Sequence, residues 1–362
     1  MKKIVSVWIL LMGVLLAQVP LERALGEMLM VGFYGTEVTP SSPICQAIGR
    51  YDLGGVILFD RNPIDVKKAK NLRSKAQLKR LTAQLQACRK EGVLLIGVDQ
   101  EGGRVQRLKA RYGFYGAFPS AKQMVNYSLQ KQQRLYMKMA KELASVGINY
   151  NLAPVVDLAR NPHNRVIYGL GRSFGKEPEV VVREAKLFME AMGKYGVVSA
   201  LKHFPGHGSS LGDTHKGFVD VTSVWSEVEL IPYQRLRHLA PSVMVAHIFN
   251  HKLDPRYPAT LSSKIIQGLL RERIGFEGVV ITDDLQMGAI TQHYTLNETL
   301  ALAMNAGNDI LLFGNQLDPK HTVSVEHLIG KMRALVKSGV VSKKRVYEAY
   351  KHIMTLKESL QP

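Results

Sequence analysis

The strongest constraint on this chain is a rhythm of short, continuously apolar runs rich in Val, Ile, Leu and Met. Strand-like runs are read at 28–35, 54–59, 93–99, 148–156, 197–203, 242–249, 278–282 and 309–313. Between most of them lie helix-like segments rich in Lys, Leu, Gln, Ala and Glu, at 64–91, 121–145, 177–195, 225–239, 262–273 and 295–305. A last amphipathic stretch runs over 326–360. Continuous apolar strands alternating with helices belong to parallel sheets covered on both faces, because a sheet wetted on one side would alternate in polarity. Eight such strands predict an α/β fold, a single (β/α)8 TIM-type barrel, for which about 250 residues is typical. A doubly wound open sheet is the competing architecture, but no Gly-x-Gly-x-x-Gly turn follows the first strand. At 46% hydrophobic and 22% charged residues the chain has the make-up of a soluble globular protein. No linker divides residues 18–362, so one barrel with a C-terminal helix is expected there.

Residues 1–17 have a different character. Met1-Lys2-Lys3 precedes an apolar run from Ile4 to Ala17, the form of a secretory signal. The run is shorter than the roughly 20 residues that span a bilayer. Ala17 suits cleavage although Leu15 does not, so an uncleaved signal anchor is the alternative. The chain is therefore expected to be exported, to the periplasm or the exterior, and to meet the inner membrane only through that segment. Its 48 basic and 30 acidic residues give a formal charge of +18, which favours anionic partners. No nucleic-acid motif accompanies the charge, and nucleic acid is not expected as a partner. Cys45 and Cys88 are too few for a disulfide framework and form no metal-type pair. They could join in an oxidising compartment, but two separate thiols are expected.

In a barrel, polar residues at the C-terminal ends of strands share one face, where such scaffolds place chemistry. Here those ends read Val98-Asp99-Gln100-Glu101, Val156-Asp157, Lys202-His203, Ala246-His247 and Thr282-Asp283-Asp284. Charge at the edge of a core costs free energy unless paired, so polar groups at five strand ends point to a shared pocket. After Lys202-His203 the chain continues Phe204-Pro205-Gly206-His207-Gly208 and then Asp213-Thr214-His215. Pro205 and the glycines exclude a helix there, leaving a polar loop. His203, His207 and His215 could instead form a divalent-metal site, making a metal-dependent hydrolase. Pro205 and Gly206, however, break the helix on which an i, i+4 histidine pair would converge. A non-catalytic sugar- or lipid-binding barrel is a third reading.

Five motifs in order resemble the family 3 glycoside hydrolases, in their single-domain β-N-acetylglucosaminidase branch. They are Val98-Asp99-Gln100-Glu101-Gly102-Gly103-Arg104-Val105-Gln106-Arg107, Gly171-Arg172-Ser173-Phe174-Gly175, the Lys202–His215 stretch, Pro258-Ala259-Thr260-Leu261-Ser262, and Gly275-Phe276-Glu277-Gly278-Val279-Val280-Ile281-Thr282-Asp283-Asp284. Family 3 glucosidases usually add a sandwich-type domain that contributes an acid, and no such domain is expected within these 362 residues.

The resemblance implies a retaining exo-β-N-acetylglucosaminidase that needs no cofactor and no metal. Asp283 would be the nucleophile, and His215, held by Asp213, the acid/base group. A carboxylate beside an imidazole fixes its tautomer and stabilises its protonated form. Asp99, Arg107, Arg172, Lys202 and His203 would contact the sugar, while His207 would brace the loop. His247 and Asp157 would brace from behind, and Asp284 would cap the following turn. Gly206–Gly212 are expected to form a mobile arm carrying the pair. One departure is visible: this branch commonly has an acid straight after Gly-His-Gly, where this chain has Ser209. The implied partners are N-acetylglucosamine-containing fragments of peptidoglycan, whose carboxylates suit the positive charge; the sequence does not give an oligomeric state.

Overall fold

The computed structural model describes residues 19–63, 65, 67–317 and 322–360. The expected signal at 1–17 lies outside the described residues. Eight strands form one sheet: β1 (Leu29–Gly32), β2 (Gly55–Ile57), β3 (Leu95–Val98), β4 (Tyr150–Asn151), β5 (Val198–Phe204), β6 (Ser242–Val245), β7 (Val279–Thr282) and β8 (Leu311–Phe313). Each strand from β1 to β7 pairs in parallel with the next, except that β7 meets β8 only through the parallel bridge Ile281–Ile310. β8 returns to pair with β1, Leu29 opposite Leu311. The predicted (β/α)8 barrel is therefore the observed fold. Every residue of the eight strands is buried, which is why the sequence shows apolar runs without alternation.

An outer ring covers the sheet, and it includes the α-helices α1 (Leu21–Glu27), α2 (Pro43–Tyr51), α3 (Lys75–Ala87), α4 (Leu129–Ser145), α5 (Pro178–Gly193), α6 (Leu296–Ala306), α7 (Val325–Lys337) and α8 (Lys343–Glu358), with a π-helix at Lys264–Arg273. The element boundaries depart from expectation where local chemistry interrupts a pattern. α3 starts only at Lys75, where the Ser74 hydroxyl accepts the Gln77 N–H at 3.2 Å, an N-cap that fixes the helix start. The stretch expected over 326–360 is two helices, because Gly339 turns with φ +78° and Ser342 caps α8. β4 is short because Pro154 offers no N–H to the ladder. Pairing resumes beyond it, where Val156 N–H donates to the Lys202 carbonyl at 2.8 Å.

Cys45 and Cys88 correct the expectation of separate thiols: they form a disulfide with 5.1 Å between Cα atoms. Cys45 lies in α2 and Cys88 ends α3. These helices follow β1 and β2, which are neighbours, so the ring brings together cysteines that sequence spacing leaves apart. At the other end of the barrel from the site, buried charges serve the frame. Asp309, at the start of β8, receives Arg271 at 2.7 Å and Arg345 at 2.6 Å. Glu27 of α1 receives Arg89 and Lys357.

Candidate active site

The C-terminal strand ends open into a cavity of about 560 Å³, and all eight site residues expected from sequence line it: Asp99, Arg107, Arg172, Lys202, His203, Asp213, His215 and Asp283. The volume is that of a small-molecule site, which runs to roughly 300–1,000 Å³.

One wall is a charge network centred on Lys202. Its ammonium sits 2.9 Å from Asp99 Oδ1 and 2.8 Å from Glu101 Oε1. Arg172 grips Glu101 through two donors, at 2.8 and 2.7 Å, and Arg107 reaches Asp99 Oδ2 at 3.1 Å. Burial raises the Glu101 pKa, but Arg172 and Lys202 outweigh it and hold the carboxyl at about 2. Asp99 is likewise kept below its usual value: burial opposes this, and Lys202 and Arg107 win. The wall thus presents fixed carboxylates and donors to the cavity. Glu101 was not singled out from sequence. The signal was available, because residues two apart on an extended segment face the same side, as Asp99 and Glu101 do.

His203 is oriented from behind. Its Nδ1 lies 2.6 Å from Asp157 Oδ2, while Asp157 Oδ1 accepts the backbone N–H of His203 at 3.2 Å and of His207 at 2.8 Å. Asp157 is buried, which pushes its pKa up, yet His203 beside it brings the net shift below the ordinary carboxylate value. His207 points its Nδ1 to Ser210 Oγ at 2.6 Å, and burial lowers its pKa to about 4. It is a neutral bracing imidazole at physiological pH.

The loop after β5 differs from expectation. Residues 206–210 are pinned rather than mobile. The Gly208 N–H donates to Glu229 Oε2 at 3.0 Å, and the Ser209 hydroxyl donates to Glu229 Oε1. Asn164 Nδ2 donates to the His207 carbonyl at 2.9 Å. A Cβ on Gly208 would stand 1.7 Å from the Leu158 carbonyl oxygen, so only glycine permits this packing. Exposure begins at Leu211, which is 66% exposed, so the exposed arm is displaced to residues 211–218. Within it His215 is half-exposed, with Nδ1 2.8 Å from Asp213 Oδ1. The His215 backbone N–H donates to the same oxygen at 3.1 Å, which locks the ring and leaves Nε2 for chemistry.

Asp283 follows β7. Its Oδ1 accepts the Asp284 N–H at 2.8 Å. Burial raises its pKa, but the charges of His247, His203 and His215 hold it below the ordinary value. Asp284 goes the other way: burial, aided by Asp283, lifts it to about 6. Its Oδ1 accepts N–H groups of Gln286 at 3.0 Å and Gly314 at 3.1 Å, the turn-capping part read from sequence. His247 braces this segment, its Nε2–H donating to the Asp284 carbonyl at 2.9 Å. The metal reading finds no support in the geometry. No group of three metal-ligating side chains is found among the described residues.

Fold and site together define a (β/α)8-barrel protein with a cavity of ionisable side chains at the C-terminal ends of its strands. The model of the Glycosyl hydrolase family 3 N terminal domain matches residues 20–356. The chain belongs to glycosyl hydrolase family 3. It is 35% identical to Beta-hexosaminidase A of Pseudoalteromonas piscicida, covering 82% of this chain and 54% of that one. It is 35% identical to a Beta-hexosaminidase of Alkalilimnicola ehrlichii, covering 79% and 80% respectively. A family 3 β-N-acetylglucosaminidase structure from Paenibacillus sp. superimposes with a TM-score of 0.84 at 31% identity, covering 94% of this chain and 63% of that chain. The chain thus spans about half of the Pseudoalteromonas protein's length.

Proposed function

We propose that this chain is a retaining exo-β-N-acetylglucosaminidase acting on peptidoglycan fragments, with Asp283 as nucleophile and Asp213–His215 as the acid/base pair. The observation that carries the reading is that Asp283 and the Asp213–His215 pair, from distant parts of the chain, line one cavity beside the Lys202 network. The names of the relatives favour a β-hexosaminidase.

The chemistry follows from the groups present. The Asp283 carboxylate attacks the anomeric carbon as the glycosidic C–O bond breaks, and His215 Nε2–H protonates the departing oxygen. A glycosyl ester on Asp283 results. Water then gives a proton to His215 and attacks the same carbon, releasing the sugar with its original configuration. Asp213 stabilises the imidazolium in the first step and keeps the ring oriented in both. The opposite shifts of Asp283 and Asp284 fit Asp283 as the ionised nucleophile, since environments that push two carboxyls apart assign their roles.

Two features support an anionic wall fragment outside the cytoplasm. Arg104 and Arg165, exposed at the cavity, have no ion-pair partner among the described residues, so their charge is free for a carboxylate on the leaving sugar. The Cys45–Cys88 disulfide suits an oxidising compartment, consistent with export.

The test is hydrolysis of aryl β-N-acetylglucosaminides, followed by mass spectrometry of the Asp283 peptide after trapping with a slow fluorinated substrate. A glycosyl adduct on Asp283 is the expected result; an active enzyme with the adduct elsewhere, or none, would overturn the assignment. Turnover of a disaccharide of N-acetylglucosamine and N-acetylmuramic acid beside chitobiose tests the substrate, and a preference for chitobiose would redirect the reading to chitin fragments.

A further inference from the structure

The loop that carries the acid/base pair is docked on both of its sides. At its far end it runs into a two-strand ribbon, Val219–Asp220 paired in parallel with Ile248–Phe249 beyond β6. There the Phe218 ring packs on Phe249, centroids 5.2 Å apart, and edge-on against His293 at 5.8 Å. Along its middle the loop lies on the one-turn helix Gly288–Thr291, which follows Asp283 and Asp284. Ala289 N–H donates to the Thr214 carbonyl at 3.2 Å and Gly288 N–H to the His215 carbonyl at 3.4 Å. Gln292 Nε2 adds a bond to the Lys216 carbonyl at 3.1 Å.

This approach depends on the missing side chain at position 288. A Cβ there would stand 3.0 Å from the His215 carbonyl oxygen, 3.1 Å from Lys216 C and 3.0 Å from Gln292 Nε2. Two of these three are backbone atoms of the acid loop and the third is the side chain that holds it. The backbone of Gly288 is not in the left-handed region, so glycine serves contact here and not conformation.

The geometry points to Gly288 and Phe218 as positioning residues that seat the acid loop directly on the segment leaving the nucleophile strand. The inference rests on the assignment of His215 as acid/base and of Asp283 as nucleophile. Its consequence is that the span between the two groups is set by this contact between loop and helix, which holds the Thr214, His215 and Lys216 carbonyls. A methyl group at 288 would lift the His215 backbone by a few tenths of an ångström, since ordinary contacts begin near 3.4 Å. A misplacement of about 1 Å can cost on the order of 10²-fold in rate, so Gly288→Ala should cost roughly 3- to 10-fold where proton donation limits. Phe218→Ala, which removes the other anchor, should act in the same way.

The experiment measures kcat/KM of the full chain on aryl β-N-acetylglucosaminides whose leaving groups span a range of acidity. Wild type, Gly288→Ala, Phe218→Ala, His215→Ala and the control Gly193→Ala are compared; a Cβ at Gly193 meets nothing within 4 Å. Thermal unfolding confirms that each variant is folded. If the seat positions the acid, Gly288→Ala and Phe218→Ala lose activity with poor leaving groups and little with the most activated ones. Azide, a nucleophile needing no base, should then raise kcat of both variants on the activated substrates. A loss equal across all leaving groups, or no loss, would overturn the seat when His215→Ala itself shows the graded response. A flat response of His215→Ala would instead remove the acid assignment, and the seat with it.

Discussion

Glu229 offers a quantitative test of how the loop after β5 is held. It is 1% exposed, and its carboxyl accepts the Gly208 N–H and the Ser209 hydroxyl. Burial is the main cause that lifts its pKa from 4.5 to about 7, with the Asp157 charge adding to it. An acid whose folded pKa lies above its unfolded value contributes stability that is complete below the unfolded pKa and is lost as pH rises through the folded one. At about 1.4 kcal/mol per pKa unit, the shift corresponds to about 3 kcal/mol, most of it lost between pH 5 and pH 8. Glu229→Gln removes the titration while keeping a carbonyl oxygen to accept a hydrogen bond. His207 and His247, lowered by burial, act in the opposite sense, but both proteins contain them and they cancel in the difference. Guanidinium unfolding of wild type and variant at pH 5 and pH 8, at matched ionic strength, gives the four free energies needed. The wild type should lose roughly 2–3 kcal/mol more than the variant over that interval. Parallel behaviour of the two proteins, within about 0.5 kcal/mol, would show that Glu229 does not titrate as a strained buried acid and would refute the reasoning.

Asp283→Asn should abolish turnover with the unfolding midpoint unchanged, as measured on a chromogenic N-acetylglucosaminide; residual activity near wild type would remove Asp283 as nucleophile. Lys202→Met should leave Asp99 and Glu101 without their shared cation. Breaking a buried ion network costs about 3–5 kcal/mol, so a lowered unfolding midpoint and weaker N-acetylglucosamine binding by calorimetry are expected. The Cys45–Cys88 bridge closes a sequence separation of 43 residues, and its loop entropy is about 4 kcal/mol at most. Cys88→Ser should therefore lower the unfolding midpoint, and a reductant should lower that of wild type while leaving the variant unchanged.

The barrel was legible because its strands are covered on both faces, which writes them into the sequence as unbroken apolar runs. Breaks were less legible. Pro154 shortened β4 and Gly339 split the C-terminal stretch, each through a backbone property of one residue that an apolar pattern does not weigh. The residues that line the cavity could be read because strand ends could be located, and in a barrel those ends share one face. What long-range packing alone creates could not be read. The disulfide depends on α2 and α3 being neighbours in the ring. The acceptor for Gly208 and Ser209 is an acid that the sequence shows only as one glutamate in a helix-like segment. Glu101 is the intermediate case, since its place two residues after Asp99 was visible but its pairing with Arg172 was not.

Ser209 shows how such a packing effect resolves a departure seen in sequence. Where the resembling branch commonly has an acid straight after Gly-His-Gly, this chain has a serine. In the structure a carboxylate is present at that place, but Glu229 brings it from a different part of the chain. An acid at 209 would set two carboxylates against each other where burial has already lifted one to about 7, and like charges at such a distance disfavour ionisation further. A hydroxyl donor removes that conflict and satisfies one oxygen of Glu229, while Gly208 N–H satisfies the other. Ser209 and Glu229 are therefore one unit. Ser209→Asp alone should destabilise the fold, and Ser209→Asp with Glu229→Gln, which restores a single carboxyl to the pair, should recover most of the loss. A double variant no more stable than the sum of its parts would show that the two positions are independent.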